Sequence, residues 1–115
     1  MHELAFDLRK RYLVMVENNG AVENLPSDAM VEVPAYITDR GPEPVRVGEI
    51  PTFYKGLIEQ QEAVEKLIVD AAVEHSYEKA LMAFTLSKTV PSLLVAKKIL
   101  DDMIVANKAY WPELH

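Results

Sequence analysis

The side chains in this sequence that could do chemistry are its carboxylates, its histidines and one dense group of amides. Glu59, Glu62, Glu65, Asp101 and Asp102 supply acid groups. Hydrolysis of a glycosidic bond by the usual route needs two carboxyl groups held across a sugar. These residues instead scatter along what helical spacing makes solvent faces, so no pair of them is assigned catalysis. The histidines are His2, His75 and His115. A helical metal site sets a second ligand one turn away, and the positions four residues from His75 are Ala71 and Lys79. His75 reads instead as the end of a helix, where the dipole favours a cation. The chain has no cysteine, which excludes a thiolate metal site and a disulfide framework. No Gly-x-Gly-x-x-Gly follows a strand, no Gly-rich Lys-Ser/Thr loop cradles phosphate, and no serine stands in a nucleophile elbow. Catalytic, cofactor-binding and metal-ligating residues are therefore assigned nowhere in this chain.

The amides are another matter. From Val16 to Pro34 the sequence reads VENNGAVENLPSDAMVEVP. Asn18, Asn19 and Gly20 tolerate or supply positive φ, and Leu25-Pro26-Ser27-Asp28 turns the chain again. Asn18, Asn19, Gly20 and Asn24 form the candidate functional turn, with Glu32 and Pro34 behind it. Two readings stay open. The side chains bond the turn's own backbone, or the turn shapes the wall of a cleft or a subunit contact.

The elements that position this turn follow from periodicity. Glu3 to Lys10 is a short amphipathic stretch with Leu4 and Leu8 one turn apart, and Arg9-Lys10-Arg11 suits its C-terminal end. Tyr12 to Val16 is a continuous apolar run, the pattern of a strand buried on both faces. From Met30 the chain alternates, with Val31, Val33, Ala35 and Ile37 on the core side and Met30, Glu32, Pro34 and Tyr36 on the other. Pro34 cannot donate to a ladder and belongs at an edge or bulge. Residues 38–42 read as a turn and 44–48 as the returning strand of a hairpin arm, Met30 to Val47.

Pro51 opens a long helix whose apolar positions are Phe53, Leu57, Val64, Leu67, Ile68, Ala71 and Ala72, ending near His75. Glu62 and Lys66 make a favourable pair on its solvent side. Ser76 caps the next helix, which buries Ala80, Leu81 and Phe84 and runs to about Lys88. Pro91 opens the last helix. Its core stripe is Leu94, Val95, Ile99, Met103, Ala106 and Tyr110, and Leu93, Ala96, Leu100, Ile104 and Trp111 fall outside that stripe. Either the stripe is broad and mostly core, or part of this apolar surface meets another chain or a further domain, and shared burial is the favoured expectation. The fold class is α+β, with two or three strands in a short antiparallel sheet or hairpin arm and three or four helices.

At 115 residues, half of them hydrophobic, the chain fits one domain with a modest core. The net charge of −6 argues against a nucleic-acid partner. No apolar run approaches the ~20 residues that span a bilayer, and the N-terminus lacks the basic region and apolar core of a signal peptide. A cytoplasmic setting is expected.

Several stretches together resemble the C-terminal region of glycoside hydrolase family four. They are Asn18-Asn19-Gly20 through Asn24-Leu25-Pro26, Met30 to Pro34, Gly41 to Gly48, Ile50 to Gln61, Val64 to Leu67, Leu86 to Pro91 and Ala106 to Leu114. The likeness is to the 6-phospho-α-glucosidase (maltose-6-phosphate glucosidase) branch and covers nearly the whole chain. It implies the C-terminal domain, residues 1–115, of a lactate- and malate-dehydrogenase-like glycosidase. NAD would lie on a preceding Rossmann domain, and a divalent metal, often manganese, on a Cys and a His.

In such enzymes the sugar is transiently oxidised at C3, a base, commonly Tyr, takes the C2 proton, and the glycosidic oxygen is eliminated. The substrates are phosphorylated disaccharides delivered by sugar-phosphotransferase uptake. None of those functional residues carries over. Tyr12, Tyr36, Tyr54, Tyr77 and Tyr110 do not match the base motif. The resemblance also implies a homo-oligomer, dimer or tetramer, in which this domain supplies core and contacts. The competing expectation is a free-standing, non-catalytic interaction or oligomerisation module derived from such a tail.

Overall fold

β1 (Arg11–Glu17), β2 (Met30–Thr38) and β3 (Gly41–Pro44) form an antiparallel sheet in the order β1-β2-β3. The structure, a computed structural model, describes residues 10–115. His2 and the Glu3–Lys10 stretch, apart from Lys10 itself, therefore lie outside the described residues. Lys10 is in no helix and Arg11 opens β1, and the helix that the basic cluster is expected to end lies outside the described residues. Downstream come α1 (Thr52–Glu74), α2 (Tyr77–Leu86) and α3 (Leu93–Ala106). The class is α+β, as the periodicities require. The chain forms two compact units, Met1–Gly56 and Leu57–His115.

In the first unit, Val14 pairs with Val33 and Tyr36 with Glu43. The alternation along β2 buries Val31, Val33 and Ala35 and leaves Met30 and Tyr36 exposed. The buried valines share their cluster with Ala21, Val22, Leu25 and Ala29 from the loop between β1 and β2, and with Val16 and Ile50 at its margin. That loop is thus part of the core.

β1 is not buried on both faces: Leu13 and Met15 are 63% and 64% exposed. An antiparallel sheet needs only one covered face, and the loop residues cover the side that carries Val16. Pro34 lies in the central strand rather than at an edge. The Asn18 N–H donates to the Ala29 carbonyl, so alternation sends the backbone groups of Pro34 away from β1. Its carbonyl accepts from Val45 N–H at 2.8 Å. The proline therefore costs one bond on the last rung beside β3. The hairpin is also tighter than its composition suggests. β3 starts at Gly41, paired with Thr38, and Thr38 Oγ1 bonds both the Gly41 carbonyl and the Arg40 N–H. After Val45 the chain leaves the sheet, with Val47 N–H on the Ala21 carbonyl and Gly48 bridging Val22.

In the second unit α1 ends in a left-handed residue, His75 (φ 57°), with Ser76 N–H on the Ala71 carbonyl, a Schellman closure. Ser76 caps α2 through Lys79 N–H, as its position predicts. Ser92 caps α3, so Pro91 precedes the cap rather than opening the helix. Ala71, Ala80 and Leu100 form the core, with Tyr77, Leu81, Phe84, Ile104, Trp111 and Leu114 packed around them.

Several apolar positions assigned to cores lie at the surface. Phe53, Leu57 and Ile68 of α1 are exposed, and α1 buries only Val64 and Ala71. In α3 the outcome is inverted: Leu94 is 81% exposed and Tyr110 lies outside, whereas Ala96 and Leu100 are fully buried. Both faces of α3 are apolar, and the small residues decide between them. Ala80 and Ala83 on α2 and Ala96 on α3 are all buried, and such residues let two helix backbones approach closely. The tail closes this core, with His115 N–H on the His75 carbonyl and Tyr77 N–H on the His115 carbonyl.

Leu100 is wholly buried beneath a partly open apolar pocket of about 250 Å³ also lined by Phe84, Trp111 and Leu114. Its truncation enlarges existing empty space instead of letting neighbours collapse. Leu100→Ala is expected to destabilise the chain by about 3 kcal/mol in urea titration. A loss under about 1 kcal/mol would contradict this packing.

Candidate functional site

Asn18 directly follows β1 and is 1% exposed. Its Nδ2 donates to the carbonyls of Val22 (2.9 Å), Leu25 (3.1 Å) and Pro26 (2.9 Å). An amide has two N–H groups, so one of them is shared between acceptors. Its Oδ1 accepts from Val22 N–H at 2.7 Å. Its backbone N–H and carbonyl bond Ala29 and Ala21, both at 2.8 Å. One residue thus ties the loop at 21–22, at 25–26 and at its exit. Burial of so many backbone groups is tolerable only because this amide meets them.

The neighbours have different tasks. Asn19 adopts left-handed φ (42°) and donates its N–H to the Ser27 carbonyl at 2.9 Å. Its side chain stays at the surface, with Nδ2 3.4 Å from Glu17 Oε2. Gly20 has φ 85° and open space where a side chain would stand, so conformation rather than crowding calls for glycine. Asn24 reaches a distant segment: Nδ2 donates to the Ile50 carbonyl and Oδ1 accepts from Ile50 N–H, each at 2.9 Å. Asn18 and Asn24 therefore point their amides at backbone, and Asn19 alone of the asparagines in the turn presents its amide outward. Glu32 lies on the open face of the sheet, and Pro34 is in the central strand.

A second cluster was not legible as one. Tyr77 donates its hydroxyl to Asp101 Oδ1 at 2.7 Å, and Lys97 Nζ bonds Asp101 Oδ2 at 2.6 Å and the Tyr77 oxygen at 3.3 Å. Lys97 holds the Asp101 carboxyl below its ordinary range, with Tyr77 adding to the effect. The same carboxylate raises Lys97. The i,i+4 spacing of Lys97 and Asp101 could have shown one pair, but nothing local announces Tyr77. The phenol, ammonium and carboxylate satisfy one another, and their visible work is to join α2 to α3.

Among the other carboxylates, Glu62 pairs with Lys66 at 2.8 Å, though its side chain is largely covered rather than on the solvent side, and Glu65 accepts from Gln61. The His75 and His115 rings lie 6.3 Å apart. No group of three or more His, Asp or Glu among the described residues could hold a metal. With no cysteine in the sequence, these residues do not fit a Cys/His metal pair.

This geometry joins a sequence whose residues 1–90 match the model of the "Family 4 glycosyl hydrolase C-terminal domain". The chain belongs to that family. The family 4 chain is 57% identical over 111 residues to maltose-6'-phosphate glucosidase of Fusobacterium mortiferum, covering 96% of itself and 25% of that protein. A crystal structure of a 6-phospho-α-glucosidase from gut microorganisms in complex with NAD and glucose-6-phosphate is 71% identical. Its TM-score is 0.93, with 98% of this chain and 26% of that chain covered. Another such enzyme, in complex with NAD and Mn2+, is 48% identical with a TM-score of 0.94 over 98% of this chain and 26% of that one. The family 4 chain therefore spans about a quarter of the length of the relatives it matches.

Two measurements follow. Asn18→Ala strands the Val22 N–H and the Val22, Leu25 and Pro26 carbonyls, and is expected to cost about 3 kcal/mol or more by denaturant unfolding. Asn19→Ala is expected to cost about 1 kcal/mol, the strain of a left-handed residue. Equal losses would show that Asn18 is not the tie. For Asp101 the folded carboxyl titrates below the unfolded one, so its stabilisation is complete above the ordinary carboxylate range. It fades as pH falls through the lowered value. Comparing Asp101→Asn with the parent chain across acid pH is expected to show a difference that vanishes at the acid end. A difference that grows there would refute the pairing.

Proposed function

We propose that this chain, residues 1–115, is the single C-terminal domain of an NAD- and divalent-metal-dependent 6-phospho-α-glucosidase that hydrolyses phosphorylated disaccharides such as maltose 6-phosphate. The observation that carries the reading is 71% identity to a 6-phospho-α-glucosidase bound to NAD and glucose-6-phosphate. NAD and the metal, with manganese favoured by the Mn2+ complex of the second relative, would be held by residues outside this chain. An NAD-binding Rossmann domain would precede it. The parent works in the cytoplasm, where sugar phosphates arrive from uptake.

The domain's part is architectural. It completes the core behind the active site and supplies contacts for a homo-oligomer. The Asn18–Asn24 turn shapes a cleft wall or subunit contact through its fixed backbone, with Asn19 as the outward group. The exposed apolar residues of the sheet and helices, Leu13, Met15, Phe53, Leu94 and Val105 among them, support burial shared with other polypeptide.

The test is turnover of a chromogenic α-glucoside 6-phosphate by the purified chain with NAD and manganese. No turnover is expected, since no acid, base or metal ligand for the reaction is assigned to this chain. Turnover above a metal-and-buffer control would overturn the architectural assignment.

A further inference from the structure

The two edges of the sheet are unlike. Outward-facing backbone groups of β3 belong to Pro42 and Pro44, because Glu43 and Gly41 are the residues bonded toward Tyr36 and Thr38. Proline has no N–H, so that edge offers no donors there, a usual protection against strand addition. On β1 the Asn18 N–H points at β2, and alternation turns the N–H and carbonyl of Arg11, Leu13, Met15 and Glu17 outward. Among the described residues β2 is the strand paired with β1. Its outer edge is long, free of proline and apolar at the centre, with Leu13 and Met15 exposed. Opposite charges stand at its two ends.

We propose that this edge takes a second copy of the chain, with β1 adding antiparallel to β1 of the partner subunit about a two-fold axis at Val14. The proposal deepens the homo-oligomer part of the function proposed above and rests on it. The register is fixed by two independent conditions. Each of Arg11, Leu13, Met15 and Glu17 must meet an outward-facing residue, which restricts the opposing positions to that same set. Charges must also be complementary, and the Val14 centre sets Arg11 against the partner's Glu17 and Leu13 against the partner's Met15. An axis at Leu13 would place Arg11 against Met15 of the partner subunit and leave Glu17 unpaired. An axis at Met15 would place Glu17 against the partner's Leu13 and leave Arg11 over. A strand that is its own charge complement at full overlap is the signature of an isologous contact. The sheets of the two copies would then be continuous, with Leu13 and Met15 stacked across the junction on the open face.

The test is light scattering of the full chain at tens of micromolar, first unmodified and then with Arg11→Glu, Glu17→Arg and both together. Arg11 and Glu17 are exposed, so the substitutions spare the core, and circular dichroism checks each fold. A dimer is expected. Each single reversal sets like charges opposite at both ends of the junction and should weaken it roughly tenfold, and the double reversal should restore it. Met15→Pro removes an outward N–H while leaving the bonds to β2, and should also weaken the dimer. A dimer indifferent to these changes would overturn this interface and leave self-association standing. A monomer would overturn both and leave the edge to a different polypeptide.

Discussion

The first unit depends on the side-chain amide of Asn18. The loop between β1 and β2 contributes Ala21, Val22, Leu25 and Ala29 to the core, so its backbone is buried along with them. A buried carbonyl without a partner costs more than a typical hydrogen bond contributes. Residues 47–48 pair with Ala21, Val22 and Glu23, and the Asn18 amide supplies the donors and the acceptor for the Val22, Leu25 and Pro26 groups that this pairing does not reach. Asn24 repeats the device at Ile50, where its amide stands in for a strand neighbour. The left-handed Asn19 and Gly20 steer the chain so that both amides arrive in place.

The second unit is organised differently. Its helix contacts rest on alanines: Ala71, Ala80, Ala83 and Ala96 are all buried, and Leu100 is the large side chain clustered with Ala71 and Ala80. A core of small residues brings helices close but removes little apolar area for each residue. The tail contributes by laying Trp111 and Leu114 against the cluster and bonding its backbone to the α1–α2 turn. Much apolar surface is left over, from Leu93 and Leu94 to Val105. The chain spans about a quarter of its relatives' length, and the proposed sharing of burial with other polypeptide would account for that surplus.

What the sequence made legible follows the range of the interactions concerned. Helix ends were readable because caps are local: Ser76 stands one residue before the helix it closes. The covered face of β2 was readable because alternation needs a few neighbours. The buried face of α3 was not, because both faces are apolar and the choice lies with Ala80 and Ala83 on another helix. Pro34 misled for a similar reason. Its position in the sheet depends on which side its missing N–H faces, and that is set by Asn18 and Val45. The amide turn was visible as composition, but its hydrogen bonds span separations from Asn18–Val22 to Asn24–Ile50, which no local pattern encodes. Family membership was legible because the order of turn, hairpin and helix residues is specific even where each piece is common.

The most direct measurement is solvent exchange of the Asn18 side-chain amide protons, followed by NMR alongside the backbone N–H of Val22. If this amide is the tie, its protons are shielded to the same degree as the β1–β2 ladder, and the Val22 N–H is shielded with them. Free exchange of the Asn18 protons, with the ladder still protected, would mean that the loop is held by something else.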